Sequence, residues 1–256
     1  MIRRFASVSI WASWAVLTTL WCVWLAIVFV FTAPFDPGRY TVGRWFRRCA
    51  VAAARLNPFW AFQVSGVSIS DPRRPYVAVA NHESFADIFL ISHLPWEMKW
   101  LSKEAIFRIP VMGWMMHMAG DIAVRRNSPN SRAEAIEACR DRLKKRASVM
   151  IMPEGTRSGT GDLLPFKDGA FRLAIETGCP ILPLAVAGTR NAIPKGSWVF
   201  GRARAEVRVL QPIPTDGLSL ADLPMLRERV RTRIGETRQA LFRELEIQPT
   251  SGALPS

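Results

Sequence analysis

The sequence predicts an α/β fold: a mixed, largely parallel sheet flanked by helices, with an amino-terminal membrane-associated helical motif. Two observations lead to this prediction. After residue 62, short apolar runs rich in β-branched residues alternate with segments of helical periodicity, which is typical of a layered α/β domain. Before it, residues 5–35 carry no formal charge, and this length exceeds the roughly 20 residues that cross a bilayer. We therefore expect a helical motif over residues 1–61, an α/β domain over 62–248 and a flexible tail over 249–256.

The first element is an apolar helix with arginines beyond both of its ends. A cleaved signal peptide fits less well, because its apolar region runs only about 7 to 15 residues. The basic flanks leave open whether the helix crosses the membrane or only enters it, but either arrangement leaves the α/β domain on the cytoplasmic side. A tryptophan stripe is equally compatible with a simple spanning helix and with one that is tilted, re-entrant or packed on a neighbour; its members are Trp11, Trp14, Trp21 and Trp24.

The second element, at about residues 37–56, has the pattern of a basic amphipathic helix. Two arrangements fit this pattern. The helix could lie at an anionic membrane surface with its apolar face among the acyl chains, or it could pack on the globular domain. Its apolar positions are Trp45, Cys49, Ala52, Ala53 and Leu56, and its basic positions are Arg44, Arg47, Arg48 and Arg55.

The α/β domain is predicted to contain seven strands separated in several places by helices. The strands are expected at residues 64–69, 76–80, 98–101, 122–124, 149–152, 181–187 and 205–210. The clearest helices are expected at residues 132–145, 169–177 and about 220–246.

Composition narrows the partners and cofactors. The chain has 34 lysines and arginines against 21 aspartates and glutamates, a formal net charge of +13, which favours phosphate groups or anionic lipid. No signature of a nucleic-acid-binding module is present, so we do not expect nucleic acid to bind. The four cysteines are widely spaced, which indicates neither a zinc site nor a disulfide framework; they are Cys22, Cys49, Cys139 and Cys179. No bound metal is expected.

His82 and Asp87 form the most informative pattern, because they lie where a predicted strand gives way to a helix that starts near Ser84. Ligands gather at the carboxyl edge of open α/β sheets. A neutral imidazole can accept a hydroxyl proton there, and a carboxylate on its other nitrogen fixes the tautomer. The competing interpretation is structural, because Ser84 and Asp87 also have the spacing of a helix capping box. Both roles can coexist.

A second polar loop, Met152–Ser158, follows the strand predicted at 149–152 and resembles an anion site. Gly155 permits close approach of the backbone, Thr156 offers a hydroxyl, and Arg157 offers a forked donor suited to phosphate. Glu154 would repel phosphate if it were free, so we expect it to position Arg157 or to bind a substrate hydroxyl. A tight turn closed by a local glutamate–arginine pair is the structural alternative.

Between these loops, residues 103–114 combine charged, apolar and aromatic side chains. Their apolar residues could line a groove for an acyl chain, or they could be core.

The order of these blocks resembles the glycerophospholipid acyltransferase family, and within it the bacterial 1-acyl-glycerol-3-phosphate (lysophosphatidic acid) acyltransferases. The likeness runs from about Tyr76 to Thr189 and includes the H-x-x-x-x-D pattern, the K-E-x-x-x-x-x-P-x-x-G-W block, the G-x-I-x-V-x-R strand and the P-E-G-T-R-S loop. It implies a membrane-bound enzyme of phospholipid biosynthesis, in a cell inner membrane or another cytoplasm-facing membrane. The enzyme would transfer an acyl group from acyl-CoA or acyl carrier protein to a lysophospholipid, yielding phosphatidic acid, with no bound cofactor.

The resemblance also implies roles for particular residues. His82 would be the general base and Asp87 its orienting partner. The acceptor would be bound by Glu154, Gly155, Thr156 and Arg157, with Lys103 and Arg126 as further basic positions. Arg125 stands where the family commonly has an aspartate, which reverses a charge beside the expected acceptor pocket. This difference motivates one alternative, an acceptor such as a lyso-aminolipid. A second alternative, of a different class, is a noncatalytic lipid-binding relative.

Overall fold

A computed structural model describes residues 2–125, 127–158, 161–194 and 196–246. The strands are β1 (Trp60–Gly66), β2 (Val77–Ala80), β3 (Met98–Lys103), β4 (Ile122–Val124), β5 (Ser148–Ile151), β6 (Ile181–Ala187) and β7 (Ala203–Val209). The helices are α1 (Ile2–Thr32), α2 (Tyr40–Arg55), α3 (Asp87–Ile91), α4 (Glu104–Phe107), α5 (Met112–Ala119), α6 (Pro129–Lys144), α7 (Gly169–Thr177) and α8 (Leu223–Glu244). The tail predicted at 249–256 lies outside the described residues.

The strands form one sheet in the order β1-β7-β6-β2-β5-β3-β4. Only β6 and β7 pair antiparallel within the described part of the chain, so the predicted mixed, largely parallel sheet is confirmed. The first strand begins earlier than predicted, and residue 62 lies inside it. It ends at Gly66, whose φ of 94° turns the chain and whose missing Cβ avoids the backbone of Val209.

Alternate residues of the central strands face two different helical layers, as the two-residue period of a strand requires. Val149 and Ile151 of β5 join a core with α6, α7 and α8. Met150, between them, joins a core with α3 on the other side of the sheet. Beyond α3 on that side lie α1, α2 and α5, whose facing residues form a further cluster. The carboxyl edge of the parallel strands therefore opens between two helical layers.

Helix α1 is bound to the rest of the molecule along its length. Trp14 and Trp21 donate their indole N–H groups to carbonyls of α2, at 2.8 and 3.0 Å. Nearer its start, Arg3 and Trp11 donate to the carbonyls of Phe200 and Trp198. Of the arrangements that the tryptophan stripe left open, packing on the neighbouring helix is the one observed. Its other face is exposed and apolar, with Phe5, Val8, Val16, Leu20, Val23, Ile27, Val30 and Phe31.

Helix α2 packs on the globular domain, which was the second of the two predicted arrangements. Its apolar face is buried against α1, α3 and α5, so the expectation that this face enters the acyl chains is wrong. Arg47, expected on the solvated face, is only 4% exposed. It forms buried ion pairs with Glu97 and Asp121, while Lys99 pairs with Glu97 at 3.1 Å. The helical motif is thus joined to the sheet by a buried cluster of two cations and two anions.

Candidate active site

His82 and Asp87 meet as the sequence predicts. His82 follows the carboxyl end of β2, and Asp87 is the first residue of α3. The Nδ1 atom of His82 lies 2.7 Å from Oδ2 of Asp87, whose side chain is fully buried. Because a carboxylate can only accept, Nδ1 carries the proton of this hydrogen bond. The Nε2 atom of the neutral ring is therefore the one that can take up a proton.

Asp87 also organises the loop around it. Its Oδ2 atom accepts the backbone N–H groups of Glu83 and Ser84, at 2.8 and 3.0 Å. Its Oδ1 atom accepts the hydroxyl of Thr189, which follows β6. The carboxylate therefore makes the capping contact with Ser84 and the contact with His82 at the same time. Thr189 was not predicted, because nothing local in the sequence indicates a contact across 102 residues.

Glu154 joins the two predicted loops. Its Oε1 atom accepts the backbone N–H of His82 at 2.7 Å, and its Oε2 atom accepts that of Leu164 at 2.9 Å. Burial raises the pKa of Glu154, and these backbone hydrogen bonds partly offset the rise. Among the described residues, Glu154 makes no ion pair with Arg157, so the turn closed by a local glutamate–arginine pair is not what the structure contains. Glu154 therefore positions the His82 loop, and its contact with the acceptor stays a prediction.

A cavity of about 720 Å³ opens beside the dyad, within the range typical of ligand sites. His82, Gly155, Arg157 and Lys103 all line it. Arg157 is partly buried and has no ion-pair partner in the described part of the chain. Thr156 is exposed and is not among the lining residues. Arg126 lies outside the described residues.

Three further cations line the same cavity and were missed by sequence reasoning: Arg132, Lys167 and Arg227. The Nζ atom of Lys167 would lie 2.7 Å from a Cβ built on Gly155, so the absence of a side chain there makes room for the lysine. The sequence signal that could have indicated Lys167 is its position beside Asp168, just before the start of α7. Arg132 and Arg227 lie on α6 and α8 and reach the cavity only through tertiary packing.

A second buried ion pair supports the His82 loop from behind. Glu83 binds Nε of Arg238 on α8 at 2.7 Å and also accepts the backbone N–H of Gly188 at 3.1 Å. Arg238 in turn donates to the carbonyl of Gly161, beyond the Glu154 loop. Burial raises the pKa of Glu83 to about 7, although Arg238 offsets part of that rise. Helix α8 therefore braces both loops that border the dyad.

Comparison with known proteins identifies the family. The family model described as Acyltransferase matches residues 61–187. A chloroplastic 1-acyl-sn-glycerol-3-phosphate acyltransferase of Brassica napus is 39% identical over 187 residues, which cover 73% of this chain and 53% of the relative. Human 1-acyl-sn-glycerol-3-phosphate acyltransferase beta is 31% identical over 191 residues, covering 72% of this chain and 69% of the human protein. The chain belongs to the acyltransferase family. It spans about half the length of the plant relative.

The fold of this acyltransferase is shared with a solved structure, the 1-acyl-sn-glycerophosphate acyltransferase PlsC from Thermotoga maritima. The TM-score is 0.71 at 24% identity, and the match covers 95% of this chain and 98% of the other. The family predicted from the motifs and the predicted fold are both confirmed.

Two predictions about residues near the acyltransferase motifs are refined by the structure. Arg125 pairs with Glu104 at 3.5 Å and is not among the residues that line the cavity, so its charge does not border the site as expected. The block at 103–114 serves both of its predicted purposes. Ile106 lines the cavity, whereas Phe107 and Gly113 are buried where α4 meets α5.

Proposed function

We propose that this acyltransferase transfers an acyl group from a thioester donor to the free hydroxyl of 1-acyl-glycerol 3-phosphate, producing phosphatidic acid. The observation that carries the proposal is the shared cavity, in which the His82–Asp87 pair faces the same space as the cations Arg157, Lys167 and Lys103. A base and an anion site are what a phosphate-bearing alcohol needs in order to react. The names of the relatives point to the same acceptor.

The chemistry follows from the dyad. Nε2 of His82 removes the proton of the acceptor hydroxyl while Asp87 holds the tautomer and stabilises the resulting imidazolium. The hydroxyl oxygen attacks the thioester carbon, and the tetrahedral intermediate then expels the thiolate, which takes the proton from His82. The backbone N–H groups of His82, Glu83 and Ser84 all donate to carboxylates. The donors that stabilise the oxyanion must therefore come from other groups in the cavity.

The acceptor phosphate is assigned to the rim beside Gly155. Arg157 offers parallel N–H donors that match two phosphate oxygens, and Lys167 adds a second charge above the glycine. Charge-assisted hydrogen bonds of this kind contribute about 1.5 to 3 kcal/mol each. Arg157→Ala is therefore expected to reduce kcat/KM for a phosphate-bearing acceptor by roughly 10- to 150-fold. An unchanged acceptor response would remove Arg157 from this role.

We also propose that the protein enters only one leaflet of a cytoplasm-facing membrane, such as the inner membrane of a cell. Helix α1 is long and apolar enough to span a bilayer, yet one of its faces is hydrogen-bonded to α2 and to the loop that contains Trp198. A helix crossing the bilayer would have to leave those partners or carry them into the acyl chains. Its exposed apolar face can instead lie among the acyl chains of one leaflet, with nearby arginines at anionic headgroups.

The test is an assay of the purified protein that crosses donor with acceptor. Acyl-CoA and acyl carrier protein thioesters are each combined with 1-acyl-glycerol 3-phosphate, a lyso-aminolipid and a neutral monoacylglycerol, and the lipid product is analysed. The proposal expects phosphatidic acid from at least one donor and its near-complete loss in His82→Ala. Rapid use of the lyso-aminolipid without turnover of the phosphate acceptor would reject the assigned acceptor. Equal activity of wild type and His82→Ala would reject the base.

A further inference from the structure

We propose that the part of the cavity between α6, α7 and α8 binds the phosphate of the donor's phosphopantetheine arm. This inference rests on the proposed function, because it requires a thioester donor, and it adds a second anion site separate from that of the acceptor. Phosphopantetheine is the portion that acyl-CoA and acyl carrier protein have in common.

The cavity has two lobes because it wraps around the carboxyl edge of the sheet. Trp100 and Met150 face the layer of α3 and the helical motif. Their strand neighbours Leu101 and Ile151 face the layer of α6, α7 and α8. All four line one continuous cavity. We call the first side the motif lobe and the second the arginine lobe.

The two lobes differ in chemistry. The motif lobe is almost entirely apolar, with Phe85, Ile88, Trp100, Ile106, Met150 and Met152 on its walls, which suits an acyl chain. The arginine lobe contains Arg132 and Arg227 near the single carboxylate Asp168. Asp168 pairs with Arg227 and so orients that guanidinium, whereas Arg132 has no ion pair within the described ranges. This side therefore keeps an excess of positive charge next to an apolar floor.

The cations that line the cavity lie at different distances from the dyad. Arg157 and Lys167 lie by Gly155, after β5, which is adjacent to β2 and the dyad. Arg132 lies on α6, which follows β4, three strand positions from β2. Strands are about 4.8 Å apart, so the ends of β2 and β4 are on the order of 14 Å apart, and those of β5 and β4 about 10 Å. Arg227 lies between the two groups, because its partner Asp168 directly follows Lys167. The acceptor brings one phosphate to the rim beside Gly155, which leaves Arg132 and Arg227 available for another anion.

The geometry of the reaction supplies that anion. The thioester carbon must lie beside His82. If the acyl chain occupies the motif lobe, the sulfur and the pantetheine arm extend in the opposite direction, across the carboxyl edge of the sheet and into the arginine lobe. The pantetheine arm is a flexible chain of amide units that ends in a phosphate ester. We assign its amide units to the apolar floor of the arginine lobe and its phosphate to Arg132 and Arg227.

The test compares donors that differ only in the arm, with the acceptor held constant. They are acyl-4′-phosphopantetheine and acyl-pantetheine, which lacks the phosphate, together with acyl-CoA and acyl carrier protein as the two natural sources. Each is measured with wild type, Arg132→Gln, Arg227→Gln and a control, Arg229→Gln, which changes an exposed arginine of α8 that is not among the lining residues.

We compare kcat/KM for acyl-phosphopantetheine with kcat/KM for acyl-pantetheine. Arg132→Gln and Arg227→Gln should each lower the ratio of these two values by about tenfold or more. Arg229→Gln should leave the ratio unchanged, and no variant should raise KM for the acceptor. An unchanged ratio in both variants would overturn the assignment. A loss confined to acyl-CoA would place nucleotide phosphates there instead, and a loss confined to acyl carrier protein would place an acidic protein surface there. Absence of turnover with every donor in wild type would reject the proposed function itself.

Discussion

Replacing Asp87 by asparagine tests whether the charge of this side chain, and not only its hydrogen bonds, is needed for catalysis. The Oδ2 atom accepts from His82, Glu83 and Ser84, and the Oδ1 atom accepts from the hydroxyl of Thr189. An asparagine that keeps its oxygen at the Oδ2 position retains the first three acceptor contacts. Its amide nitrogen then faces Thr189, whose hydroxyl can turn to accept. The substitution therefore removes the charge and preserves the pattern of contacts.

The expected magnitudes follow from that pattern. All four hydrogen bonds of this side chain change from charge-assisted to neutral, a loss of about 1 kcal/mol each, so the free energy of unfolding falls by at most about 4 kcal/mol. The gain from no longer burying a charge opposes this loss. The imidazolium that forms on His82 loses its counter-charge, so we expect kcat to fall by roughly 10²- to 10⁴-fold. The KM for each substrate should change little, because Asp87 is fully buried.

The assay measures initial rates at saturating donor and acceptor, together with thermal unfolding in the same detergent. Thr189→Val is the matched control, because it removes a contact of Asp87 and leaves the carboxylate on His82. It should lower kcat less than tenfold. If folded Asp87→Asn retains kcat within threefold of wild type, Asp87 only caps the loop, and the reasoning that assigns it a role in catalysis fails.

Further predictions concern two other buried groups. A Cβ at Gly43 would overlap Oε1 of Glu97, so Gly43→Ala should lower the free energy of unfolding by about 3 kcal/mol or more. Gly235→Ala is the control, because a Cβ at this helical position meets only Cδ2 of Leu163, at 3.4 Å, and it should be neutral or stabilising by up to about 1 kcal/mol. Equal unfolding midpoints of the two variants would contradict this. Burial raises the pKa of Glu83 from its usual 4.5 to about 7 in the folded protein. Folding therefore takes up a proton between these two pH values, and the stability present at low pH is lost as the pH rises. Wild type should therefore lose stability relative to Glu83→Gln/Arg238→Gln between pH 4.5 and 7; parallel pH profiles would show that Glu83 does not titrate in this way.

Much of the fold was predictable because the signals are local. Parallel strands buried on both faces appear as short apolar runs, and all seven predicted runs contain a strand or overlap one. The edge of the sheet that carries the cleft was also predictable, because His82 and Arg157 each follow the carboxyl end of a predicted strand. Their placement on one cavity depends on strand order, which the chain sequence suggests only through the resemblance.

The features that the sequence did not predict depend mainly on contacts between residues that are distant in the chain. Arginine and lysine usually lie at the surface, so the sequence does not predict that Arg47 and Lys99 are buried. Their desolvation is offset by Glu97 and Asp121, which only the folded chain brings next to them. Helix α5 was missed partly because Val111 precedes it with a φ of 64°, a backbone conformation that is rare for β-branched residues. Arg227 is 145 positions from His82 in the chain yet lines the same cavity, and nothing near it in sequence indicates this.

The buried charge cluster makes the amino-terminal helices part of the protein's own scaffold. Glu97, Lys99 and Asp121 belong to the globular part, whereas Arg47 belongs to α2. Cutting the chain after residue 61 to obtain a soluble fragment would remove Arg47. Lys99 alone would then face Glu97 and Asp121, which leaves one uncompensated negative charge inside the protein. A redesign that tests the proposed attachment to a bilayer should therefore change the outward surface of α1 and leave α2 in place.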